Sequence, residues 1–504
     1  MNMRPNLLII MADQLSARAL GAYGGVARAP HIDALAARGV VFDSFYCNSP
    51  LCAPSRFSFM AGQLPSKIGA YDNAAEFSAD TPTFAHYLRR AGYQTILSGK
   101  MHFCGPEQLH GFEERLTTDI YPSDFGWTPD WTRPEQRPAW YHTMDSVIQA
   151  GPCVRSCQLD FDDEVVYAAR QKLFDLARSA DARPFCLVVS MTHPHDPYAV
   201  PLEYWNRYRD DEIGPPRVPD LAGQEDPHSR RLRHVIGLGL SQPTESQAQR
   251  ARRAYYGAVS YIDDQVGALT AALGQTGFAD NTVTVILADH GDMLGERGLW
   301  YKMSFFEPSC RIPLIVHAPA RFAPRRVSAV ASLVDLLPTF LALASEEQAP
   351  SYAAPIDGSS LLPALRGGAA PGEAFGEYLA EGAMAPIVMI RRSSHKFVHS
   401  PADPEQLYDL DTDPEERSNL AASQEHVAVA AAFRAEVTRR WNLSSLQAAV
   451  LASQQRRHLV YAALREGRYR PWDFQPVRDA SRSYIRNDRE LEDLERMGRY
   501  PPAT

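Results

Sequence analysis

The sequence lacks most of the features that mark membrane, secreted or nucleic-acid-binding proteins. No apolar run within its 504 residues approaches the roughly 20 residues that a membrane-spanning helix needs. The N-terminal apolar run has neither the length nor the small-residue cleavage site of a signal peptide. Lysine and arginine (51) are fewer than aspartate and glutamate (60), and the net charge of -9 gives no general attraction for nucleic acid or an anionic membrane. We therefore expect a cytoplasmic protein that binds neither.

Cysteine is scarce and scattered. The chain has seven cysteines, an odd number without the regular spacing of a disulfide framework, which is typical of a reducing compartment. Only Cys153 and Cys157 are spaced as CxxxC, and two free thiols in a loop explain this pair better than a metal site does. Internal repeats and low-complexity tracts are also missing. An anionic substrate would need a local positive site, because the net negative charge of the whole protein repels it.

Alternating strand and helix patterns indicate an α/β fold. Leu7–Asp13 (LLIIMAD) and residues 281–292 (NTVTVILADHGD) are apolar runs that end in polar residues, as buried strands of a parallel sheet do. A long helical pattern opens with a capping box from Thr244 to Gln247, and a shorter one predicts Thr81 as its N-cap. We expect a mostly parallel sheet flanked by helices, with ligands at the carboxyl ends of its strands.

A change in composition divides the chain. Arg366–Ala374 is rich in glycine, alanine and proline and predicts a linker. Beyond it, two stretches predict short antiparallel strands, and a polar helical region and a tail follow. We expect a catalytic α/β domain over residues 1–370 and a smaller C-terminal α+β subdomain with an antiparallel sheet over residues 371–504.

Acidic side chains follow two of the predicted strands. Asp13, Asp289 and His290 stand at strand ends, and two carboxylates with an imidazole suit a divalent cation such as Ca²⁺, Mg²⁺ or Mn²⁺. A strand-end aspartate alone more often caps the following helix. The context DHGDMLGERG favours the metal site, because it crowds ionisable groups at one strand exit.

A set of basic side chains follows predicted strands at the same edge. Lys100 and His102 are two residues apart and therefore point the same way if the chain remains extended. Positive groups around a divalent metal make a site for a tetrahedral anion, phosphate or sulfate. The candidates are Arg56, Lys100, His102, His193, His195 and Lys302.

The segment Cys52–Arg56 (CAPSR), followed by FSFMAG, resembles the signature of the type I sulfatases. The resemblance implies the alkaline-phosphatase-like α/β fold and a formylglycine-generating enzyme that oxidises Cys52 to formylglycine (3-oxoalanine). The hydrate of that aldehyde would attack the sulfur of a sulfate ester. The predicted helix start favours a negative nucleophile, and Arg56 is expected to reach back over the first turn to hold its oxygen. A buried structural cysteine is the alternative.

The resemblance also implies a role for each candidate at the metal. The ligands would be Asp13, Asp289, His290 and the modified Cys52, with Ca²⁺ favoured over Mn²⁺ and Mg²⁺. Most sulfatases have a second aspartate where this chain has Gln14. Gln14 is therefore either a ligand through its amide oxygen, or the site has one ligand fewer.

The remaining matched residues would act on the sulfate ester. His102 matches the base that deprotonates the hydrated aldehyde. Lys100, Lys302 and His195 match the groups that bind sulfate and assist the leaving oxygen. The second histidine of HPHDP fits the family pattern Pro-His-x-Pro, which favours His195 over His193.

Longer stretches are similar to the choline sulfatases, among them SGKMHFCGPEQLHGFEERLTTDIYPSDFGWTPD, THPHDPY and DHGDMLGERGLWYKM. That family hydrolyses choline O-sulfate to choline and sulfate, which supplies osmoprotectant. A trimethylammonium group calls for an aromatic face and anions, and the matching positions are Asn73, Trp127 and Glu381. The family's tail also brings an acid to a neighbouring subunit's active site. Glu492, or the adjacent Asp493, stands at that place, which implies a homo-oligomer (a dimer or tetramer) with tail exchange.

Other functions stay open at this point. A phosphonate monoester or phosphodiester hydrolase, or an arylsulfatase of the same superfamily, would use similar chemistry without needing Trp127 and Glu381. A protein of a different class would keep the fold and bind choline or sulfate without catalysis.

Overall fold

The computed structural model describes residues 4–220, 223–345, 351–477 and 489–498. None of the helices in these ranges is long and apolar enough to span a bilayer. The strands are β1 (Asn6–Asp13), β2 (Val40–Phe42), β3 (Phe45–Tyr46), β4 (Gln94–Gly99), β5 (Glu114–Arg115), β6 (Gly151–Cys153), β7 (Phe185–Pro194), β8 (Ala199–Pro201), β9 (Thr282–Ala288), β10 (Leu314–His317), β11 (Arg325–Val327), β12 (Ala331–Ser332), β13 (Glu373–Tyr378), β14 (Ile387–Arg392), β15 (His395–Ser400) and β16 (Asp403–Asp409). The α-helices are α1 (Pro30–Ala37), α2 (Cys52–Ala61), α3 (Phe84–Arg90), α4 (Asp145–Ile148), α5 (Cys157–Arg178), α6 (Leu202–Trp205), α7 (Asp210–Ile213), α8 (Pro227–Val235), α9 (Glu245–Gln275), α10 (Glu307–Cys310), α11 (Leu336–Ala344), α12 (Leu362–Leu365), α13 (Val427–Arg440), α14 (Leu443–Arg465) and α15 (Leu491–Gly498).

The large sheet has the strand order β11-β2-β10-β9-β1-β7-β4-β5. The central strand β1 pairs in parallel with both β7 and β9, whereas β10 runs antiparallel to β9 and β2. Every residue of β1 is buried, because strands cover both of its edges and helices such as α5 and α9 pack on the sheet. The predicted mostly parallel α/β architecture is confirmed, and so are the strands expected at Leu7–Asp13 and within residues 281–292.

A second sheet is antiparallel throughout, in the order β13-β14-β15-β16. Helix α13 packs on β15, and Phe397, Phe433 and Trp441 contribute to the apolar core between them. Strand β13 begins at Glu373, so the last two residues of the predicted linker Arg366–Ala374 are already part of this sheet. The antiparallel C-terminal sheet is confirmed, whereas the domain boundary at residue 370 stays a prediction.

The start of α3 differs from the prediction. The N-cap is Thr83 and not Thr81, because Thr83 forms a complete capping box with His86. The Thr83 hydroxyl accepts a bond from the backbone N–H of His86, and the imidazole of His86 accepts one from that of Thr83. This capping box was not predicted from the sequence, because its third helical residue is a histidine and not the usual Glu or Gln. The capping box predicted from Thr244 to Gln247 is present at the start of α9.

A buried ion cluster links the antiparallel sheet to helix α10. Lys396 of β15 lies 2.9 Å from Oε1 of Glu307 in α10 and 2.5 Å from Oε1 of Glu416, and none of the three is exposed. Removing one member of such a cluster leaves uncompensated buried charge, which costs far more than the intact cluster contributes.

We expect Lys396→Met to lower the free energy of unfolding by about 3 to 5 kcal/mol, because Glu307 and Glu416 would remain buried without their cation. Urea denaturation followed by circular dichroism measures this loss. Arg439→Met is the matched control, since Arg439 forms a surface pair with Glu436 and should change stability little. Equal losses in both variants would contradict the expectation.

Candidate active site

The carboxyl ends of β1 and β9 bring three predicted metal ligands together. The strands are parallel neighbours with Ala12 opposite Ala288, so Asp13 and Asp289 leave the sheet at the same level. The next residue is His290, whose Nε2 lies 3.7 Å from an oxygen of each carboxylate. All three side chains are fully buried.

Cys52 completes this group. It is the first residue of α2, where free backbone N–H groups favour negative charge. Its Sγ lies 3.2 Å from Nε2 of His290 and 3.9 Å from Oδ1 of Asp13. The candidate ligand atoms of Asp13, Cys52, Asp289 and His290 all lie within 4.8 Å of one another.

The chemistry of these donors fits a divalent cation. Burial raises the pKa of Asp13, but nearby Lys100, His195 and Arg56 together lower it well below its usual range, so the group is a carboxylate. Burial lowers the pKa of His290, and its Nδ1 lies 3.0 Å from a backbone carbonyl, so Nε2 carries the lone pair. Buried carboxylate oxygens with a neutral imidazole make a suitable ligand set.

The structure places Arg56 differently from the prediction. We expected it to reach back toward Cys52, but its guanidinium lies against the two carboxylates. Nε donates to Asp289 at 2.8 Å, and the terminal nitrogens donate to Asp13 at 2.9 Å and to the Ser190 hydroxyl at 2.7 Å. Buried carboxylates are the strongest acceptors within reach of a buried guanidinium, which explains the change.

Both polar atoms of the Gln14 side-chain amide form hydrogen bonds. Nε2 donates to Oδ2 of Asp292 at 2.6 Å, and Oε1 accepts from Nζ of Lys302 at 2.7 Å. Its oxygen therefore faces Lys302, and its role as a metal ligand stays a prediction. Asp292 was not predicted as a site residue, although it belongs to the crowded DHGD segment.

Lys100 and His102 both reach the site, but not along an extended chain. His102 has a φ of 61°, in the left-handed region, and its backbone N–H donates to Asp119 at 2.8 Å. The ammonium group of Lys100 pairs with Asp13 and lies 4.2 Å from the ring centre of Tyr121. The chain does not remain extended after Lys100, because the backbone turns there to bond with Asp119.

His102 is a buried, neutral base. Both of its ring nitrogens lack a hydrogen-bonding partner among the residues that the structure describes. Burial lowers its pKa, and the nearby Cys52 and Asp119 offset this only in part. An unpartnered, unprotonated imidazole beside Cys52 can accept a proton there.

His195 and Lys302 form a contact pair. Nζ of Lys302 lies 2.6 Å from Nε2 of His195, whose Nδ1 lies 2.6 Å from the backbone carbonyl of Asp196. Burial, with Lys302 next, lowers the pKa of His195 well below its usual range, so Nδ1 carries the proton and Nε2 accepts. His193 instead lies 2.7 Å from Asp162, away from this pair, in line with the preference for His195.

These groups open into a cavity of about 240 Å³. Its wall combines the basic end of the site with aromatic rings, and Trp127 and Trp140 lie nearly parallel with centroids 6.0 Å apart. Asn73 belongs to the same wall and accepts the Ala53 N–H near the start of α2. The lining residues are Cys52, Asn73, Tyr121, Trp127, Trp140, Tyr141, His142, Gln158, His195, Asp196, Pro197 and Lys302.

Glu381 is buried without a partner. Neither carboxylate oxygen meets a hydrogen-bond donor in the described part of the chain. Burial raises its pKa to about 8, and Asp72 adds to this effect. A buried carboxyl with both oxygens unpaired indicates a missing cation or donor.

Much of the aromatic wall was not predicted from the sequence. Tyr121, Trp140, Tyr141 and His142 follow no regular period, but they lie in aromatic-rich stretches (DIYPSDFGW and PAWYH) that a search for clustered aromatics would have marked. The side chain of Glu492, in α15, lies outside the described residues, so its role stays a prediction. Asp493 pairs with Arg496 of the same helix.

Comparison with known proteins places this geometry in a family. The sulfatase family profile matches residues 5–346, more than half of the chain. The chain belongs to the sulfatase family. It is therefore an enzyme of the class that hydrolyses sulfate esters, and the resemblance to choline sulfatases is confirmed.

The relatives support this placement over the whole length. The chain is 47% identical over 510 residues to the choline-sulfatase of Rhizobium meliloti, covering 99% of each chain. It is 27% identical to the arylsulfatase of Clostridium perfringens, over 84% of this chain and 92% of that one. Further profiles match residues 448–500 (choline sulfatase enzyme C terminal) and 295–442 (N-sulphoglucosamine sulphohydrolase, C-terminal).

Solved structures show the same fold. The phosphonate monoester hydrolase of Silicibacter pomeroyi superposes with a TM-score of 0.69 at 24% identity, covering 86% of this chain and 94% of that one. That of Agrobacterium radiobacter gives the same TM-score and identity, covering 89% and 96%.

We expect a divalent cation to stabilise the fold through Asp13, Asp289 and His290. At a cation concentration 100 times the dissociation constant, the gain is about 2.7 kcal/mol, measured as a rise in melting temperature over chelator-treated protein. Asp289→Asn should abolish the rise, whereas the control Asp211→Asn, an exposed acid paired with Arg209, should keep it. An undiminished rise in Asp289→Asn would contradict the ligand assignment.

Proposed function

We propose that this sulfatase hydrolyses choline O-sulfate to choline and inorganic sulfate. The observation that carries the proposal is the composition of one cavity, which has Cys52 and Lys302 at one end and the rings of Trp127 and Trp140 in its wall. The basic end suits the sulfate group, and the aromatic wall suits a quaternary ammonium. The naming of the Rhizobium meliloti relative agrees with this substrate.

The basic end would bind and activate the ester. Formylglycine at position 52 would supply the attacking hydroxyl, and a divalent cation held by Asp13, Asp289 and His290, with Ca²⁺ favoured, would supply positive charge at this end. His102 accepts a proton at its ring nitrogen, which burial keeps neutral. Lys302 donates a proton from Nζ toward the leaving oxygen, and His195 orients that ammonium through Nε2. Lys100 adds a fixed positive charge next to Asp13.

The aromatic end would bind the trimethylammonium. A ring face attracts a cation by about 0.5 to 2 kcal/mol, depending on exposure. Trp127 and Trp140 offer such faces, and Glu381 lies within electrostatic reach of Tyr141, Cys52 and Lys302. A bound cation would give the buried Glu381 carboxyl its missing partner and favour its ionised form.

The wider setting of the enzyme follows from the same proposal. The chain would act in the cytoplasm as a homo-oligomer, with Glu492 or Asp493 of one tail at the active site of a neighbouring subunit. A formylglycine-generating enzyme would modify Cys52. The product choline would serve osmoprotection.

A substrate panel tests the proposal. We expect kcat/KM for choline O-sulfate to exceed that for 3,3-dimethylbutyl sulfate, its neutral isostere, by about tenfold or more, because the isostere forfeits the cation–π attraction. Aryl sulfate and a phosphonate monoester complete the panel and represent the alternative activities. A higher kcat/KM for either of these would overturn the substrate assignment. Labelling of the Cys52 tryptic peptide with an aldehyde-reactive aminooxy probe reports the modification separately.

Glu381 should make KM for choline O-sulfate depend on pH. Its pKa in the free protein is raised to about 8, so the group is neutral below and ionised above that pH. The ionised form attracts the ammonium, and KM for choline O-sulfate should therefore fall as the pH rises through about 8. Glu381→Gln should remove this change, and 3,3-dimethylbutyl sulfate should not show it. A KM independent of pH from 6.5 to 9 in the unaltered enzyme would contradict the role of Glu381.

A further inference from the structure

The C-terminal helix α14 lies against the two loop segments that carry Asn73 and Trp127. Arg457 of α14 donates from both terminal nitrogens to Asp72, at 2.6 and 2.7 Å, and to the Thr128 hydroxyl at 3.2 Å. Asp72 and Thr128 are direct chain neighbours of Asn73 and Trp127. One buried guanidinium therefore ties together the two segments that form this part of the cavity wall.

Two more residues of α14 contact the segment beyond Trp127. Oε1 of Gln454 accepts the backbone N–H of Trp131 at 2.9 Å, and Nε2 of His458 lies 3.0 Å from the carbonyl of Pro129. Positions 454, 457 and 458 share one face of the helix, because residues three and four apart are neighbours there. This face of α14 follows the backbone of residues 128–131.

The loop segments have little regular structure of their own. Residues 68–83 and 116–144 contain no helix or strand, so no ladder of backbone bonds sets the positions of Asn73 and Trp127. The anion end is different, since Asp13 ends β1 and Lys100 and Asp289 come directly after β4 and β9 of the large sheet. The two ends of the cavity are thus supported by different parts of the chain.

Arg457 forms the strongest of these contacts. A bidentate guanidinium–carboxylate pair has a fixed geometry, and here both partners are buried. Asp72 also acts on Glu381, because its negative charge adds to the effect of burial in raising the pKa of Glu381. Neutralising Asp72 therefore affects the charge near the ammonium as well as the position of the loop.

We propose that Arg457, with Gln454 and His458, is a positioning residue that sets the distance between Asn73 and Trp127 and so determines recognition of the substrate's cationic end. The inference rests on the proposed choline O-sulfate activity. It assigns substrate specificity to a helix whose residues do not line the cavity, and it gives residues 448–465 of the C-terminal region a function in every subunit.

The test compares Arg457→Met with Arg456→Met, the same change at the next, exposed residue of α14. The substrates are choline O-sulfate and ethyl sulfate, which lacks the ammonium group and does not reach the aromatic end. We expect Arg457→Met to raise KM for choline O-sulfate about tenfold, as expected if most of the ammonium contact is lost. The kcat for choline O-sulfate, and both kcat and KM for ethyl sulfate, should stay within about threefold of the values of the unaltered enzyme, because a threefold change corresponds to a small free energy.

Further variants keep the result interpretable. Arg457→Lys preserves the charge but not the bidentate bond. Its KM for choline O-sulfate should therefore lie between that of Arg457→Met and that of the unaltered enzyme. Gln454→Leu removes the bond to the Trp131 N–H without leaving a buried charge, and should raise KM in the same direction if Arg457→Met does not fold. The proposal would be overturned if Arg457→Met lowered kcat/KM equally for both substrates. It would also be overturned if Arg457→Met and Arg456→Met changed KM for choline O-sulfate equally.

The unaltered enzyme separates this inference from the proposed function. If it does not prefer choline O-sulfate to ethyl sulfate, the proposed function fails whatever the variants do. Acrylamide quenching of tryptophan fluorescence then tests the positioning alone: Arg457→Met should increase quenching relative to Arg456→Met, because Trp127 loses its support. No difference in quenching would overturn the positioning role as well.

Discussion

The arrangement of acids at the carboxyl ends of β1 and β9 depends on the contacts of one buried guanidinium, that of Arg56. Parallel strands β1 and β9 deliver Asp13 and Asp289 to one place, where two buried carboxylates repel each other. Arg56 bonds to both of them, and Lys100 pairs with the same Oδ2 of Asp13 that Arg56 contacts. The fold itself therefore holds and orients both acids through these contacts. A cation that binds there meets a prepared site and does not have to assemble one.

This arrangement explains why the helix α2 starts where it does. Cys52 must lie within ligand distance of the acids, and Arg56 must lie one turn further, beneath them. Both conditions hold only if α2 points its first turn at the strand ends, with Asn73 accepting the Ala53 N–H there. The spacing of Cys-x-x-x-Arg thus places two side chains of one helix at the same site, Cys52 next to His290 and Arg56 against the two carboxylates.

How much of this could be predicted differs between the two ends of the cavity. The strands over Leu7–Asp13 and before Asp289 are long apolar runs, and the rule that ligands gather at carboxyl ends then places the acids correctly. The partners of Arg56 were predicted wrongly, because local spacing alone cannot show that buried carboxylates from distant strands compete for the guanidinium. The bend at His102 was also missed, since it depends on a contact with Asp119.

The aromatic end was predicted least well, for a related physical reason. Trp140, Tyr141 and the neighbours of Trp127 lie in long segments without periodic structure, whose shape is set by contacts far along the chain. No pattern within residues 116–144 indicates that Arg457, more than 300 positions later, supports them. Substrate recognition depends on such segments because they can change without disturbing the sheet that holds the acids. A sulfatase can in this way keep one reaction centre and still differ in the alcohol that it releases.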